Sequence, residues 1–282
     1  MIFSPGSFLW LVAHDLRLGM LRTRAIFGAA RPATIALVVA LIVAVFHVVA
    51  WPVAVWFTDA AETPQESGYY YPVLASAALF VLPWMMAQAL TSATRALYSR
   101  GDLDLLLAAP ISPRVVVCAR ALAIAIEVLT SVGIFIFPIA NMCVVYGGWH
   151  WLAIYPALLA SALFGAGVGL AMSVGLFVVL GPKRTRLIAQ ILATFIASAF
   201  MIGAQLVNVL PRRLRAQLLD AVNNPAPGGV FDREGLLWLP VRAATGDLGA
   251  LLQWTSAAVV VFILSAIALG PRFMTSAMRS AG

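Results

Sequence analysis

The hydrophobic and polar positions divide the chain into long apolar runs that are separated by short polar segments. Six of these runs reach the roughly 20 residues that a helix needs to cross the hydrocarbon core of a bilayer. The runs comprise residues 33–57, 72–90, 121–146, 151–180, 187–210 and 251–269. They lack the strict alternation of a membrane β-barrel strand. The pattern therefore predicts an all-α membrane protein, a single domain over residues 1–282 with six transmembrane helices.

Residues 5–31 precede the first run and carry an amphipathic pattern. The apolar positions on one side of the predicted helix are Phe8, Leu9, Val12, Leu16 and Met20, and the charged residues concentrate on the other side. Such a helix lies along the membrane face. The alternative is a cytosolic extension of the first span, but Gly28 and Pro32 argue against one continuous helix.

Four small residues in the fourth run recur at every fourth position: Ser161, Gly165, Gly169 and Ser173. At this spacing they share one face of a helix, and small residues on such a face allow another helix backbone to approach closely. The pattern predicts a close helix–helix contact and carries no functional message by itself.

Composition and charge favour a membrane protein over other classes. Hydrophobic residues make up 62% of the chain and charged residues 10%, whereas soluble domains carry about 25% charged residues. The net charge of +7 raises the question of nucleic-acid binding. However, Lys and Arg lie mostly at the ends of the apolar runs, as topology signals do. We therefore expect no nucleic-acid partner.

The distribution of Lys and Arg predicts the orientation. The first segment, the last segment and the segments after the second and fourth runs hold 13 of them, and the opposite segments hold 5. Positive residues favour the cytoplasmic side, so both termini should be cytoplasmic. Residues 211–250 then form an outer loop. Its placement rests mainly on the alternation of the spans, because this loop carries four acidic residues as well as basic ones.

The segment 97–113, between the second and third spans, is charged and bounded by prolines. Asp102 can cap a helix, Asp104 favours its first turn, and Pro110 ends it. The apolar face of this two-turn helix consists of Leu103, Leu106 and Leu107. A helix this short is unstable alone in water, so its leucines must dock on something. In one alternative the leucine face packs on the chain's own cytoplasmic ends or dips into the membrane interface. In the other it is a docking element for a partner subunit, and the residues alone favour neither alternative.

This segment resembles the cytoplasmic loop of ABC-2 type transporter permeases through the pattern LYxRxDLDLLxxxPIS at 97–112. The motif is short, but the order of elements is similar over the whole chain: an interfacial helix, a coupling loop, six spans and a long last outer loop. The resemblance implies a permease subunit of an ATP-driven transporter, mostly an exporter, in the bacterial inner membrane. Its loop would form the coupling helix that enters a cleft in a cytosolic ABC ATPase.

The resemblance also implies the ATPase contacts and the assembly. The residues expected to bind the ATPase are Arg100, Asp102, Leu103, Asp104, Leu106 and Leu107. The chain contains no G-x-x-x-x-G-K-[ST] motif, so we expect no enzyme activity and no cofactor in it. ATP and Mg would be bound by the partner ATPase. The expected partners also include membrane lipid and a second six-helix unit, as a homodimer or a heterodimer, and the expected mechanism is alternating access.

Glu127 and His47 are the candidate polar residues of the transport path. An intramembrane carboxylate is costly unless it is protonated, paired or facing water. Each residue lies 14 positions after the predicted start of its helix, so the two could pair or line a path together. The alternative is a local hydrogen bond for each within the bundle. The other polar candidates, predicted as helix-to-helix hydrogen-bonding residues, are Asn141, Gln190, Gln205 and Asn208.

Two other functions compete with the permease. An ion-coupled secondary transporter would need features such as paired acids or inverted repeats, which the spans lack. A non-transporting membrane scaffold could recruit a cytosolic partner through the same leucine helix. No Cys and His cluster has metal-ligand spacing, so no metal site is predicted. The sequence does not predict the substrate.

Overall fold

The structure is a computed structural model and describes residue 4 and residues 6–28, 30–64, 68–98 and 112–281. Over these residues the fold is all-helical and contains no strand. Its α-helices are α1 (Phe8–Ile26), α2 (Pro32–Glu62), α3 (Tyr70–Tyr98), α4 (Pro113–Gly147), α5 (Ile154–Val209), α6 (Arg212–Asn223), α7 (Leu239–Ala244) and α8 (Leu248–Ala281). Short 3-10 helices precede α5 and α7, at Trp149–Ala153 and Leu236–Trp238.

Five segments of the described chain are long and apolar enough to cross a membrane: Pro32–Glu62, Tyr70–Ala96, Arg114–Gly147, Trp149–Gly181 and Leu248–Ala268. They correspond to the first four predicted runs and to the sixth. The multi-pass, all-helical architecture is therefore confirmed. The fifth predicted run, 187–210, is helical as far as Val209 but is not among these five segments. The count of six spans stays a prediction.

Helix α5 consists of two parts that meet at Gly181. This residue has φ 73° and ψ 173°, a conformation that only glycine adopts readily. Both parts pack on α3, since Ala166 of the first part joins the cluster around Ala89 and Ala189 of the second part packs on Leu90. The chain therefore reverses its direction at Gly181, with one glycine in place of a loop.

The small-residue stripe of α5 lies at helix–helix contacts, as predicted. A Cβ atom added at Gly169 would lie 2.7 Å from the backbone carbon of Ala89 and 2.7 Å from the backbone nitrogen of Leu90. At Ser161, the hydroxyl oxygen accepts a hydrogen bond from the indole N–H of Trp254 in α8 at 3.1 Å. The absence of larger side chains on this face allows α3 and α8 to approach α5 closely.

Helix α1 is separate from α2, as Gly28 and Pro32 predicted, and it is shorter than the predicted 5–31. Gly28 has φ +56°, in the left-handed region that favours glycine. Helix α1 packs on the start of α4 through Leu11 and Val12. Three members of its predicted apolar face are exposed: Phe8, Leu9 and Met20. The location of α1 along a membrane face stays a prediction.

The predicted outer loop contains folded helices that pack on one end of the bundle. Val222 of α6 and Trp238 join a cluster with Tyr70, at the start of α3. The guanidinium carbon of Arg233 lies 3.5 Å from the centroid of the Tyr71 ring, which is a cation–π contact. Residues 211–247, which we call the outer segment, therefore form a cap on this end of the bundle.

Asp247 fixes the junction between the outer segment and α8. Its Oδ1 accepts a hydrogen bond from the backbone N–H of Ala250 at 2.9 Å, as an N-cap residue does. Its Oδ2 accepts from Nε of Arg242 at 2.9 Å. The backbone N–H of Ala250, and after it the Arg242 side chain, hold the pKa of Asp247 below its usual value.

Replacement of Asp247 with asparagine should give a pH-dependent loss of stability. Because the pKa of Asp247 is lower in the folded than in the unfolded chain, its contribution is present above the unfolded pKa, about 3.9, and fades as the pH falls through the folded pKa. The thermal unfolding temperature of Asp247→Asn should thus be lower than that of wild type at pH 7, and this difference should narrow at pH 3. The exposed Glu234→Gln is the control, and a difference independent of pH would contradict the assignment.

Candidate functional site

The candidate site is a cavity of about 1270 Å³ between α1, α2, α3 and α4, which we call the α2–α4 cavity. Helix α2 lines it with one face, formed by Pro32, Ile35, Ala36, Val39 and Ala40. The lining positions of α4 run from Arg120 to Ile134, which is about 21 Å at 1.5 Å per residue. Helix α3 contributes positions near its end, including Arg95. The cavity therefore extends inward from the end of the bundle where α2 and α4 begin.

Five charged residues line the cavity: Asp15, Arg24, Arg95, Arg120 and Glu127. Asp15 and Arg120 are buried, with 9% and 3% of their surface exposed. The other three are exposed. A ligand in the cavity would therefore meet two positive groups and one negative group, in a site whose remaining walls are largely apolar.

Glu127 contacts Arg95; a pair with His47 was one of the alternatives that the sequence left open. Its Oε1 lies 3.8 Å from Nη1 of Arg95, and about half of each side chain is exposed, 51% and 49%. Exposed ion pairs contribute only about 0–1 kcal/mol to stability. The pair is therefore a weak link between α3 and α4, and Glu127 stays accessible from the cavity.

Arg120 links the end of α3 to the start of α4. Its Nη1 donates a hydrogen bond to the backbone oxygen of Ala96. Ala96 lies in the last turn of α3, where carbonyl oxygens lack donors from their own helix. A positive group at this end of a helix also interacts favourably with the helix dipole. Sequence reasoning missed this residue because it lies just outside the apolar run that begins at residue 121.

The residues predicted to bind an ATPase lie outside the described residues: Arg100, Asp102, Leu103, Asp104, Leu106 and Leu107. Their arrangement as a coupling helix stays a prediction. The chain on either side is described, since α3 extends to Tyr98 and α4 begins at Pro113. The segment 99–111 therefore connects the two helices that carry Arg95 and Arg120 into the cavity wall.

His47 belongs to a chain of hydrogen bonds that joins α2, α4 and α5. Its Nδ1 lies 2.8 Å from the carbonyl oxygen of Val43, so this nitrogen donates and the other ring nitrogen accepts. The acceptor Nε2 lies 2.9 Å from Nδ2 of Asn141, and the hydroxyl of Tyr155 donates to Oδ1 of Asn141. Asn141 thus acts between helices as predicted, and the alternative of local hydrogen bonds holds for His47.

Replacement of Asn141 with alanine should destabilise the bundle. The substitution removes the shared partner of His47 and Tyr155. Both side chains are partly buried, so we expect a cost at the lower end of the range of about 1–3 kcal/mol for an unsatisfied buried polar group. We expect a lower thermal unfolding temperature for the purified protein in detergent. The control is Ser198→Ala, because that hydroxyl bonds only within its own helix. Equal unfolding temperatures for Asn141→Ala and wild type would contradict a structural role for this chain of hydrogen bonds.

No group of three or more His, Cys, Asp or Glu residues that could hold a metal ion is found among the described residues. Both cysteines are free thiols. The polar side chains that line the cavity are those of arginine, aspartate and glutamate, with a few hydroxyl groups.

Fold and cavity together define a multi-pass helical membrane protein with a charged cavity near one end. Comparison with known proteins adds no closer assignment: no family model, no curated protein and no solved structure matches the chain. The function is therefore inferred from the fold, the cavity and the sequence motif.

Proposed function

We propose that the chain is the transmembrane permease subunit of an ATP-driven ABC transporter, an exporter that works by alternating access with a separate ATPase subunit. The observation that carries the proposal is the position of the 99–111 segment. Its two ends continue directly into α3 and α4, which carry charged side chains into the wall of the cavity. In this proposal the termini face the cytoplasm of a bacterial cell, and the permease acts as a homodimer or a heterodimer.

The mechanism follows from this connection. An ATPase that binds the 99–111 segment would apply force to the last turn of α3 and the first turns of α4. Arg120 holds these two helix ends together through Ala96, so they would move as one unit. The Arg95–Glu127 contact is weak and can change without a large cost. Movement at the helix ends would thus reshape the cavity, as an alternating-access cycle requires.

The proposal predicts that charge on the leucine face abolishes ATPase binding. The variant carries Leu103→Asp and Leu106→Asp, and the matched control carries Leu236→Asp and Leu237→Asp in the outer segment, where both leucines are exposed. The measurement is co-purification with the candidate ABC ATPase from the same genome, after equal membrane insertion is verified. Loss of binding in the first variant alone supports the coupling helix. Binding that persists in it would contradict the proposal.

An ion-coupled transporter is the second candidate, and the accessibility of Glu127 is the observation that favours it. A carboxylate on a cavity wall can bind and release a proton during transport. If the ATP-driven proposal holds, Glu127→Gln should leave the pH dependence of transport unchanged in reconstituted vesicles. Loss of a pH-dependent step in this variant would favour ion coupling instead. If the ATPase binds but nucleotide causes no conformational change in this chain, the result would favour the non-transporting membrane scaffold.

A further inference from the structure

The α2–α4 cavity has a charged end and an uncharged end. On α4 the lining begins at Arg120, reaches Glu127 about 10 Å further in, continues through Thr130 and Ser131, and ends at Ile134. On α2 the lining face is apolar throughout. A ligand that fills this cavity therefore needs a charged group near the end of the bundle and an apolar part that points toward the middle of the membrane.

Helix α2 leaves the cavity accessible from the side. From Phe46 onward, α2 is held to α4 by aromatic and polar contacts, such as Phe46 with Phe135 at 5.2 Å between ring centroids. Its first half lines the cavity instead. Leu37 and Leu41, on the same half, are 70% and 63% exposed, as expected for side chains that face lipid. A molecule within the bilayer can therefore approach the cavity along α2.

The accessible charges favour an anionic ligand. Arg24 and Arg95 are exposed, whereas Asp15 is nine-tenths covered, so Glu127 is the accessible carboxylate of the cavity. Arginine recognises phosphate through paired N–H donors, with hydrogen bonds about twice as strong as neutral ones. The weak contact of Arg95 with Glu127 is one that a phosphate can replace.

We propose that the α2–α4 cavity binds a membrane-resident amphiphile with a phosphate-bearing anionic headgroup. The headgroup lies at Arg24 and Arg95, and one hydrocarbon chain lies along the apolar face of α2, toward Ile134. This inference rests on the proposed function, because it names the substrate class of the same cavity. The occupant is a lipid and not a free phosphate, since most of the lining is apolar.

The headgroup is tested by direct binding to the full-length protein in detergent. The probes are fluorescent phosphatidylglycerol and fluorescent diacylglycerol, which lacks the phosphate, with identical acyl chains; both are titrated in the absence of any ATPase. We expect about tenfold tighter binding of the anionic lipid, because its phosphate accepts charged hydrogen bonds from the arginines. This ratio corresponds to about 1.4 kcal/mol of binding free energy. The double variant Arg24→Gln and Arg95→Gln should lose this preference. The control, Arg212→Gln with Arg213→Gln on the exposed surface of α6, should keep it.

The ratio of the two lipid affinities within one protein is insensitive to the amount of folded material. Equal affinities in the wild type, or a preference that survives in the Arg24 and Arg95 variant, would overturn the proposal. Inorganic phosphate should compete only weakly; competition as strong as that of the lipid would show a free-anion site and would also overturn it.

The hydrocarbon chain is tested by a bulky residue on α2. Ala36→Trp fills the apolar part of the cavity and should weaken binding of both lipids, whereas Ala44→Trp, on the same helix outside the cavity lining, should not. No effect of Ala36→Trp would overturn the proposal. These assays need no ATPase, so their outcome is separate from that of the coupling-helix test: lipid binding can fail while ATPase binding holds, and the reverse.

Discussion

Gly169→Leu is expected to prevent the bundle from forming a single stable structure. A Cβ atom at this position would lie 2.7 Å from two backbone atoms of α3, and a backbone cannot rotate away as a side chain can. Overpacking a well-packed interior costs about 1–3 kcal/mol and occasionally more. Here α3 would have to move away from α5 over the central cluster around Met85 and Ala89.

The measurement for this substitution is the thermal unfolding temperature and the size-exclusion profile in detergent. The matched control is Gly175→Leu on the same helix, because an added Cβ atom there meets nothing within 4 Å. Both variants carry the same loss of glycine and the same gain of leucine. A similar behaviour of the two variants would contradict the close contact of α5 with α3.

Arg120→Gln is expected to have the second-largest effect, on stability and on coupling together. The substitution removes the guanidinium that donates to Ala96 at the end of α3. Hydrogen bonds from charged groups contribute about 1.5–3 kcal/mol, so the unfolding temperature should fall clearly. In the proposed mechanism, the helix ends beside the 99–111 segment would also no longer move as one unit.

The control for Arg120 is Arg114→Gln, six residues earlier on α4, where the side chain is exposed. This control removes the same charge from the same end of the bundle. Two readouts apply: thermal unfolding, and the nucleotide response of the complex with the ATPase. An Arg120→Gln variant with the stability and the nucleotide response of Arg114→Gln would contradict the linking role of Arg120.

The spans could be predicted because long apolar runs have few alternatives to a membrane helix. The stripe at Ser161 and Gly169 could be predicted for a related reason, since small residues every fourth position share one helix face. The reversal at Gly181 was not predicted as a turn of one residue. Its backbone conformation depends on both flanking parts packing on α3, which is a long-range effect that local sequence does not carry.

The cavity was harder to predict than the fold. Glu127 was identified as a candidate residue of the transport path because a lone acid stands out in an apolar run, but Arg24 and Arg95 lie where positive residues are expected as topology signals. Arg24 and Arg95 line the same cavity because of the way α1 packs on α4 and α2 leaves a space beside α4. The sequence left a pair of His47 with Glu127 open beside local hydrogen bonds, because equal depth along two helices does not define which faces meet.

The central claim is that ATP, acting through the 99–111 segment, reshapes the α2–α4 cavity. The most direct test is the distance between spin labels at Leu37→Cys on α2 and Thr130→Cys on α4, with the native Cys118 and Cys143 replaced by serine. We predict that ATP shifts this distance when the candidate ATPase is bound, and that Leu103→Asp with Leu106→Asp abolishes the shift. An unchanged distance in the ATPase complex with and without ATP would contradict the account.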